Sequence, residues 1–361
     1  MHHKRSLFGV LLLLSPSLYA QSNTVIATIN TGVNPAGIAI SPNNRTAFVA
    51  NNNDFGISDQ NTVSVLNLQN NTAAQTISDP SFDQPFTITL NKSGSLAFVT
   101  NSNGSTISVI DTRTNQVTNV IDGFDGPSGM VITPNGKIAY VINYGSGSGS
   151  GRGDTVSMVN LQTNMIAGDP ITIGQAPSAI AISPDGKFVY VTNYVDGDTG
   201  TGTLSVIRTS DNTVVSTITG FSGPFAIAVT PNGKQAFVTN FGSNNFDPIG
   251  NTVSVVDLSS RMITKNITVG LQPSGIAITP NGDFALVTNF NTFDVMQNAN
   301  TSDLVGGQGT VNIIDTHSKK VLPTTIVVGQ SPDAIAISSN GKFAYVTNYT
   351  SNTVSVIQLK K

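Results

Sequence analysis

Cysteine, tryptophan and glutamate are absent from this 361-residue chain, and histidine occurs only at positions 2, 3 and 317. Without cysteine there is no disulfide, no thiolate metal site and no thiol nucleophile. With one histidine outside the first three residues, histidine-rich metal sites are excluded, and a Ser-His-Asp arrangement would have to use His317. All twenty acids are aspartate, and charged residues make up only 10% of the chain. Helical periodicity is missing too: beyond the N-terminus, no segment of about 11 or more residues repeats its apolar positions every 3.6. What fills the chain instead is Val, Ile, Thr, Ser, Gly and Asn. Branched side chains suit a pleated sheet, and Gly and Asn tolerate the positive φ of tight turns.

The first twenty residues read differently from the rest. His2, His3, Lys4 and Arg5 form a positive end, and Leu7 to Leu14 form an apolar core too short to span a bilayer. Ser15, Pro16 and Ser17 break that core, and the small residue Ala20 offers a cleavage point. The expectation is a signal peptide over residues 1–20, removed on export, with a retained anchor as the alternative. Residues 21–361 are then one exported domain, in the periplasm, at the cell surface or outside. No later segment is apolar enough to cross a membrane as a helix.

One phrase returns seven times. It is PAGIAISPNNRTAFVAN from Pro35, and close variants start at Pro85, Pro127, Pro177, Pro224, Pro273 and Pro332. The starts lie 42 to 59 residues apart, the spacing of propeller blades or a little more. Each unit resolves into a strand A such as GIAIS, a turn of the Pro-Asn-Gly kind, and a strand B such as FAYVTN. A variable loop leads to strand C, and a further turn leads to strand D. The expected fold is therefore an all-β, seven-bladed β-propeller with four-stranded blades. The seventh unit stops after strand C, NTVSVIQLKK from Asn352. Its missing fourth strand is supplied by TVIATINTG from Thr24 at the other end of the chain. That N-terminal strand should close the last blade and remove an unpaired edge.

The end of strand B reads YVTN at Tyr190 and Tyr345, FVTN at Phe98 and Phe237, LVTN at Leu286, YVIN at Tyr140 and FVAN at Phe48. In this the chain resembles the YVTN-repeat β-propellers, exported surface-layer-type proteins of bacteria and archaea. The resemblance covers essentially all of residues 21–361. It implies a seven-bladed disc outside the cytoplasm and little about activity, since propellers host enzymes and binding modules alike.

The B–C and D–A loops of such a disc emerge on one face, called here the upper, and the A–B and C–D turns on the lower. The A–B turns are nearly constant in length, whereas the B–C loops of blades 1, 3, 4, 5 and 6 carry insertions. Insertions confined to one face of a repeat protein mark a binding face. Charge divides the same way. In residues 21–361 the lower face collects 14 cations and 6 acids, and the upper face 1 cation and 14 acids. Turn preference accounts for much of this pattern, but its electrostatic consequence stands: the upper face attracts cations and repels polyanions.

Several residues qualify as candidate ligand contacts. The Asn that ends strand B recurs in every unit, which assigns it to structure. The residue after it is aromatic in five blades, Tyr144, Tyr194, Phe241, Phe290 and Tyr349, a partial rim suited to sugars or apolar groups. Blades 1 and 2 leave a gap in it. The alternative is packing beneath the long loops. Arg152, Gly153 and Asp154 spell an adhesion tripeptide at the end of the loop GSGSGSGRGD. Asp196 and Asp198 resemble the start of a calcium loop without its closing Glu, so that calcium would be held weakly.

These features favour a non-enzymatic binding or surface-interaction module that meets a protein or glycan through its upper face. Two other readings stay open. One is an Asp-dependent, calcium-assisted hydrolase or lyase, for which no catalytic pair stands out. The other is a nucleic-acid or polyanion binder using the basic lower face, whose cations lack interleaved aromatics.

Overall fold

The computed structural model describes residues 23–53, 60–145, 153–194, 201–242, 249–291 and 308–360. They form seven antiparallel sheets around a central axis, each a meander of strands A to D running outwards. Strand A of blade 1 is Pro35–Ile40, B is Thr46–Asn51, C is Thr62–Asn67 and D is Thr72–Ser78. The strand Thr24–Asn30 pairs with Thr353–Gln358, from Thr24 opposite Gln358 to Asn30 opposite Thr353. The N-terminal strand thus closes blade 7, as expected. In blades 3 and 6 strand D is broken in two, Met165–Ile166 with Ile171–Thr172 and Lys320–Val321 with Ile326–Gln330. Pro170 and Pro323 lie in the breaks, where a residue without an N–H cannot continue the ladder. No helix among the described residues is long and apolar enough to cross a membrane.

The core is segmented. Seven apolar clusters fill the seven interfaces between neighbouring blades. The third and fourth residues from the Asn end of strand B, that Asn counted as the first, show how. Phe48, Phe98, Phe237 and Leu286 are at most 1% exposed, and the Val that follows is fully buried in each of those blades. Alternation along a strand points these two side chains to opposite interfaces, so each blade contributes to the cluster on either side of it.

The last two letters of the repeat are polar and do different work. In all seven blades the Asn amide donates to a Thr hydroxyl on strand C at 2.9–3.0 Å. It donates a second time, two residues further on, to a Ser hydroxyl, or to Asn312 in blade 6. The Asn therefore clasps B to C within a blade. The Thr acts between blades. Strand A carries a bulge after its Pro, which frees a backbone N–H from the ladder. In blades 4 to 7 that N–H, of Ala179, Ala226, Gly275 and Ala334, donates to the hydroxyl of Thr192, Thr239, Thr288 and Thr347 at 2.6–2.9 Å. The same hydroxyls donate to the carbonyls of Phe225, Ser274, Asp333 and Ala36 in the next blade at 2.8–3.1 Å. Blades 1 and 3 have Ala50 and Ile142 here. In blade 2, Thr87 reaches the Ser128 carbonyl instead.

Replacing Thr239 with Val keeps the shape but strands the Ala226 amide and the Ser274 carbonyl in a fully buried position. The expected loss is about 1–3 kcal/mol in denaturant unfolding; an unchanged midpoint would show that the bulge has another partner. Deleting residues 23–34 exposes the edge of Thr353–Gln358 and is expected to lower and broaden the thermal transition.

Candidate functional site

Two backbone features aim side chains at the upper mouth of the disc. The residue before each strand A proline has positive φ: Asn34, Gln84, Gly126, Ala176, Gly223, Gln272 and Ser331, all between 49° and 59°. Its carbonyl accepts the amide of the residue that follows the clasp Asn, at 2.9–3.1 Å in every blade. The bond pins that residue over the D–A corner. Asn52, Ser102, Tyr144, Tyr194, Phe241, Phe290 and Tyr349 are thereby held at equivalent places around the axis. The residue after the proline forms a second ring just below, at the top of the channel: Ala36, Phe86, Ser128, Ser178, Phe225, Ser274 and Asp333.

The two rings enclose a funnel of about 590 Å³ on the upper face, lined among others by Phe86, Tyr144, Phe225, Phe241, Phe290 and Tyr349. It narrows into a channel of about 120 Å³. Phe86, Ser178, Phe225 and Asp333 line both cavities and so mark the throat. Two clefts open on the underside between blades, of about 430 and 210 Å³. Neither gathers side chains from more than two neighbouring blades and the chain ends, whereas the funnel draws on all seven blades.

The five aromatics singled out above divide into three roles. Phe241 and Phe290 pack edge to face at 6.1 Å, and Phe241 lies 5.2 Å from Phe225. Tyr194 sits under them, 6.2 Å from Phe225 and 6.4 Å from Phe241, with its hydroxyl donating to the Gly242 carbonyl at 2.6 Å. It is 7% exposed and supports the wall. Tyr144, 45% exposed, and Tyr349 line the open side. The gap expected at blades 1 and 2 is partly filled by Phe86, which comes from strand A and not from the end of strand B. Phe86 and Phe225 are missing from the sequence-based set because that set followed one column of the repeat.

Asp333 is the other residue missing from it. The post-proline column reads Ala, Phe, Ser, Ser, Phe, Ser, Asp, so it holds one charge in seven. The Asp333 carbonyl accepts from Thr288, and the neighbouring Pro332 carbonyl accepts from Ser274 at 2.7 Å. Blade 6 thus fixes the backbone beneath the carboxylate. The side chain keeps partial exposure at the funnel wall, and its desolvation there pushes the carboxyl up to about 7.

The remaining candidates have plain positions. Arg152, Asp196 and Asp198 lie outside the described residues. Gly153 is bonded into blade 3: its N–H donates to the Tyr144 carbonyl at 2.6 Å and its carbonyl accepts from Ala176 at 2.9 Å. A Cβ there would fall 2.1 Å from the Asn143 carbonyl. Gly250 of blade 5 occupies the same place, 2.0 Å by the same measure from the Asn240 carbonyl, and has no Arg-Asp flanks. The glycine of the tripeptide therefore has a structural reason to be there. Asp154 is exposed beside it, its carbonyl accepting from Ile173 at 2.7 Å.

On the lower face, acids cap turns. Asp257 accepts from the amides of Ser259 and Ser260, and those bonds hold its carboxyl down at about 2. Asp211 is held at about 2 by the Arg208 guanidinium, an exposed pair. The four ion pairs formed between described residues lie on this face, including His317 with Asp283 at 4.0 Å. His317 is on the C–D turn of blade 6, far from the funnel.

No protein-family model matches the chain. Among solved structures, the hydrazine synthase of Kuenenia stuttgartiensis is similar, with a TM-score of 0.75 over 91% of this chain and 96% of that one. At 20% identity the likeness is one of fold. Among curated proteins, the PE-PGRS family protein PE_PGRS18 of Mycobacterium tuberculosis is 42% identical over 59 residues. That stretch is 16% of this chain and 13% of that protein.

The Asp333 carboxyl gives a pH signature. Folded, it holds its proton up to about 7; unfolded, it releases it near 3.8. Between those values the folded state binds more protons, so this group's contribution makes stability fall as pH rises from about 4 to about 7 and then level off. Asp333→Asn removes this titrating carboxyl. Its melting temperature relative to the unmodified protein is expected to climb across that window; a difference independent of pH would contradict the shift.

Proposed function

We propose that the protein is an exported propeller of the YVTN-repeat kind that acts as a non-enzymatic binding module through its upper face. The observation that carries this reading is the funnel. It opens where strands B end and strands C begin, the points in the sequence at which the long B–C insertions fall, and it gathers six aromatic side chains around one carboxylate. A concave, mostly apolar cavity with few polar groups is the common form of a ligand site. The acidic surplus of that face adds attraction for positively charged partners. The signal-like residues 1–20 support export, and a protein or glycan of the cell envelope or of a host surface is the partner class such a disc would meet.

The test is capture of partners from envelope and host-surface extracts by cross-linking. The intact protein is compared with one trimmed of residues 146–151 and 292–307. Partners held only by the intact protein are the expected result. Identical partners for both, or none for either, would move attention to the basic underside.

A further inference from the structure

We propose that the throat of the funnel binds an organic ammonium group, with its charge against the Asp333 carboxylate and its carbon substituents against Phe86 and Phe225. This deepens the reading of the upper face by naming the chemistry of its ligand. Around the ring, Asp333 of blade 7, Phe86 of blade 2 and Phe225 of blade 5 are two, three and two blades apart. They surround the axis nearly evenly, and all three line both the funnel and the channel. A group at the throat therefore meets a negative oxygen on one side and aromatic rings on the other two. Aromatic faces attract cations, most strongly when water is excluded.

The class of cation follows from the lining. Calcium takes six to eight oxygens, usually several of them carboxylates, and here one carboxylate stands among phenyl rings. A cation wrapped in carbon suits such walls, because its apolar substituents gain contact while its charge is met once. Above about pH 7 an anion would be repelled by Asp333, and a neutral apolar ligand would leave the ionised carboxylate desolvated and unpaired. Among the described residues, no other charged side chain lines the cavity. The elements packed on strand A of blade 7 carry no competing charge either. Pro35–Ile40, Pro273–Ile278 and Phe284–Asn289 contain no ionisable group. Phe343–Asn348 contains only Tyr345, which burial keeps protonated. Tyr144 and Tyr349 at the rim are the remaining titratable lining groups among the described residues.

The experiment is isothermal titration calorimetry of the full chain with benzyltrimethylammonium, with benzoate and benzyl alcohol as controls. A second arm uses a pentapeptide with one central lysine and the same peptide acetylated on that lysine. The ammonium should bind and the two controls should not. Its affinity should rise about tenfold between about pH 6 and pH 8, following the ionised fraction of a carboxyl that titrates near 7. Asp333→Asn, which removes charge without changing shape, should weaken binding about tenfold or more and abolish the pH dependence. Phe225→Leu should weaken it about threefold to tenfold. Preference for the unacetylated peptide would assign the ammonium to a side chain of a bound polymer; binding of the free ammonium alone would assign it to a small molecule. The proposal is overturned if neither cation binds at about 10 mM, a concentration well above ordinary ligand dissociation constants, if benzoate or benzyl alcohol binds equally, or if Asp333→Asn binds as well as the unmodified protein. The throat is made by strands, so the loop-trimmed protein should keep ammonium binding. Loss of partner capture on trimming and loss of ammonium binding at Asp333 are therefore separate results, and either reading can fail alone.

Discussion

Four of the seven junctions between blades depend on hydroxyl groups that each serve two blades. Strand A leaves its proline through a bulge, and the bulge leaves an amide with no ladder partner. In blades 4 to 7 a threonine near the end of strand B accepts that amide and donates to the carbonyl of the next blade. One small side chain thus repairs a defect within its own sheet and joins that sheet to its neighbour. Apolar clusters supply most of the contact area between blades, but they are non-directional. Where they occur, the hydroxyl bonds are directional and tie the B strand of one blade to the A strand of the next. The Asn beside the threonine holds B to C, so the inner part of each blade moves as one piece.

This scaffold explains why the candidate site is made from the residues it is. Two positions per blade, one after the proline and one after the Asn, are aimed at the axis by backbone bonds that repeat seven times. The scaffold fixes where they point and leaves their identity free. Three hydroxyls, two phenyl rings, one methyl and one carboxylate occupy the lower of the two rings. The residues that vary most in chemistry are therefore held by the atoms that vary least, an arrangement that preorganises a site without constraining its specificity.

The repeats, the four-strand blades and closure by Thr24–Asn30 were legible in the chain because each rests on period and on turn chemistry. The Asn of strand B was legible as structural because it recurs in every copy. Phe241, Phe290 and Tyr349 were legible as a rim, since they follow that Asn. Phe86, Phe225 and Asp333 were not, because nothing in a single copy marks the post-proline residue as facing the axis. That becomes visible only when the bulge is known, and strand periodicity does not encode a bulge. The role of the threonine was hidden for the same reason. Gly153 looked like part of a recognition tripeptide, and only the close approach of the Asn143 carbonyl gives it a second meaning. The breaks at Pro170 and Pro323 were readable from proline alone, but the repeat pattern concealed them by continuing on the far side.

Closure of the last blade also sets an order of events. The Asn23 side chain accepts from the Lys360 amide, 337 positions along the chain. Every other blade is built from hairpins between strands that follow one another in sequence, so its contacts are local. Blade 7 alone must wait for both ends of the domain to be present. Contacts of such long sequence separation form late, after a large loop-closure entropy has been met. Until then Thr24–Asn30 and Thr353–Gln358 each present an open edge, the kind of surface that pairs with another chain when concentrations are high. The ring is therefore most exposed to misassembly in the interval between emergence of its first strand and arrival of its last.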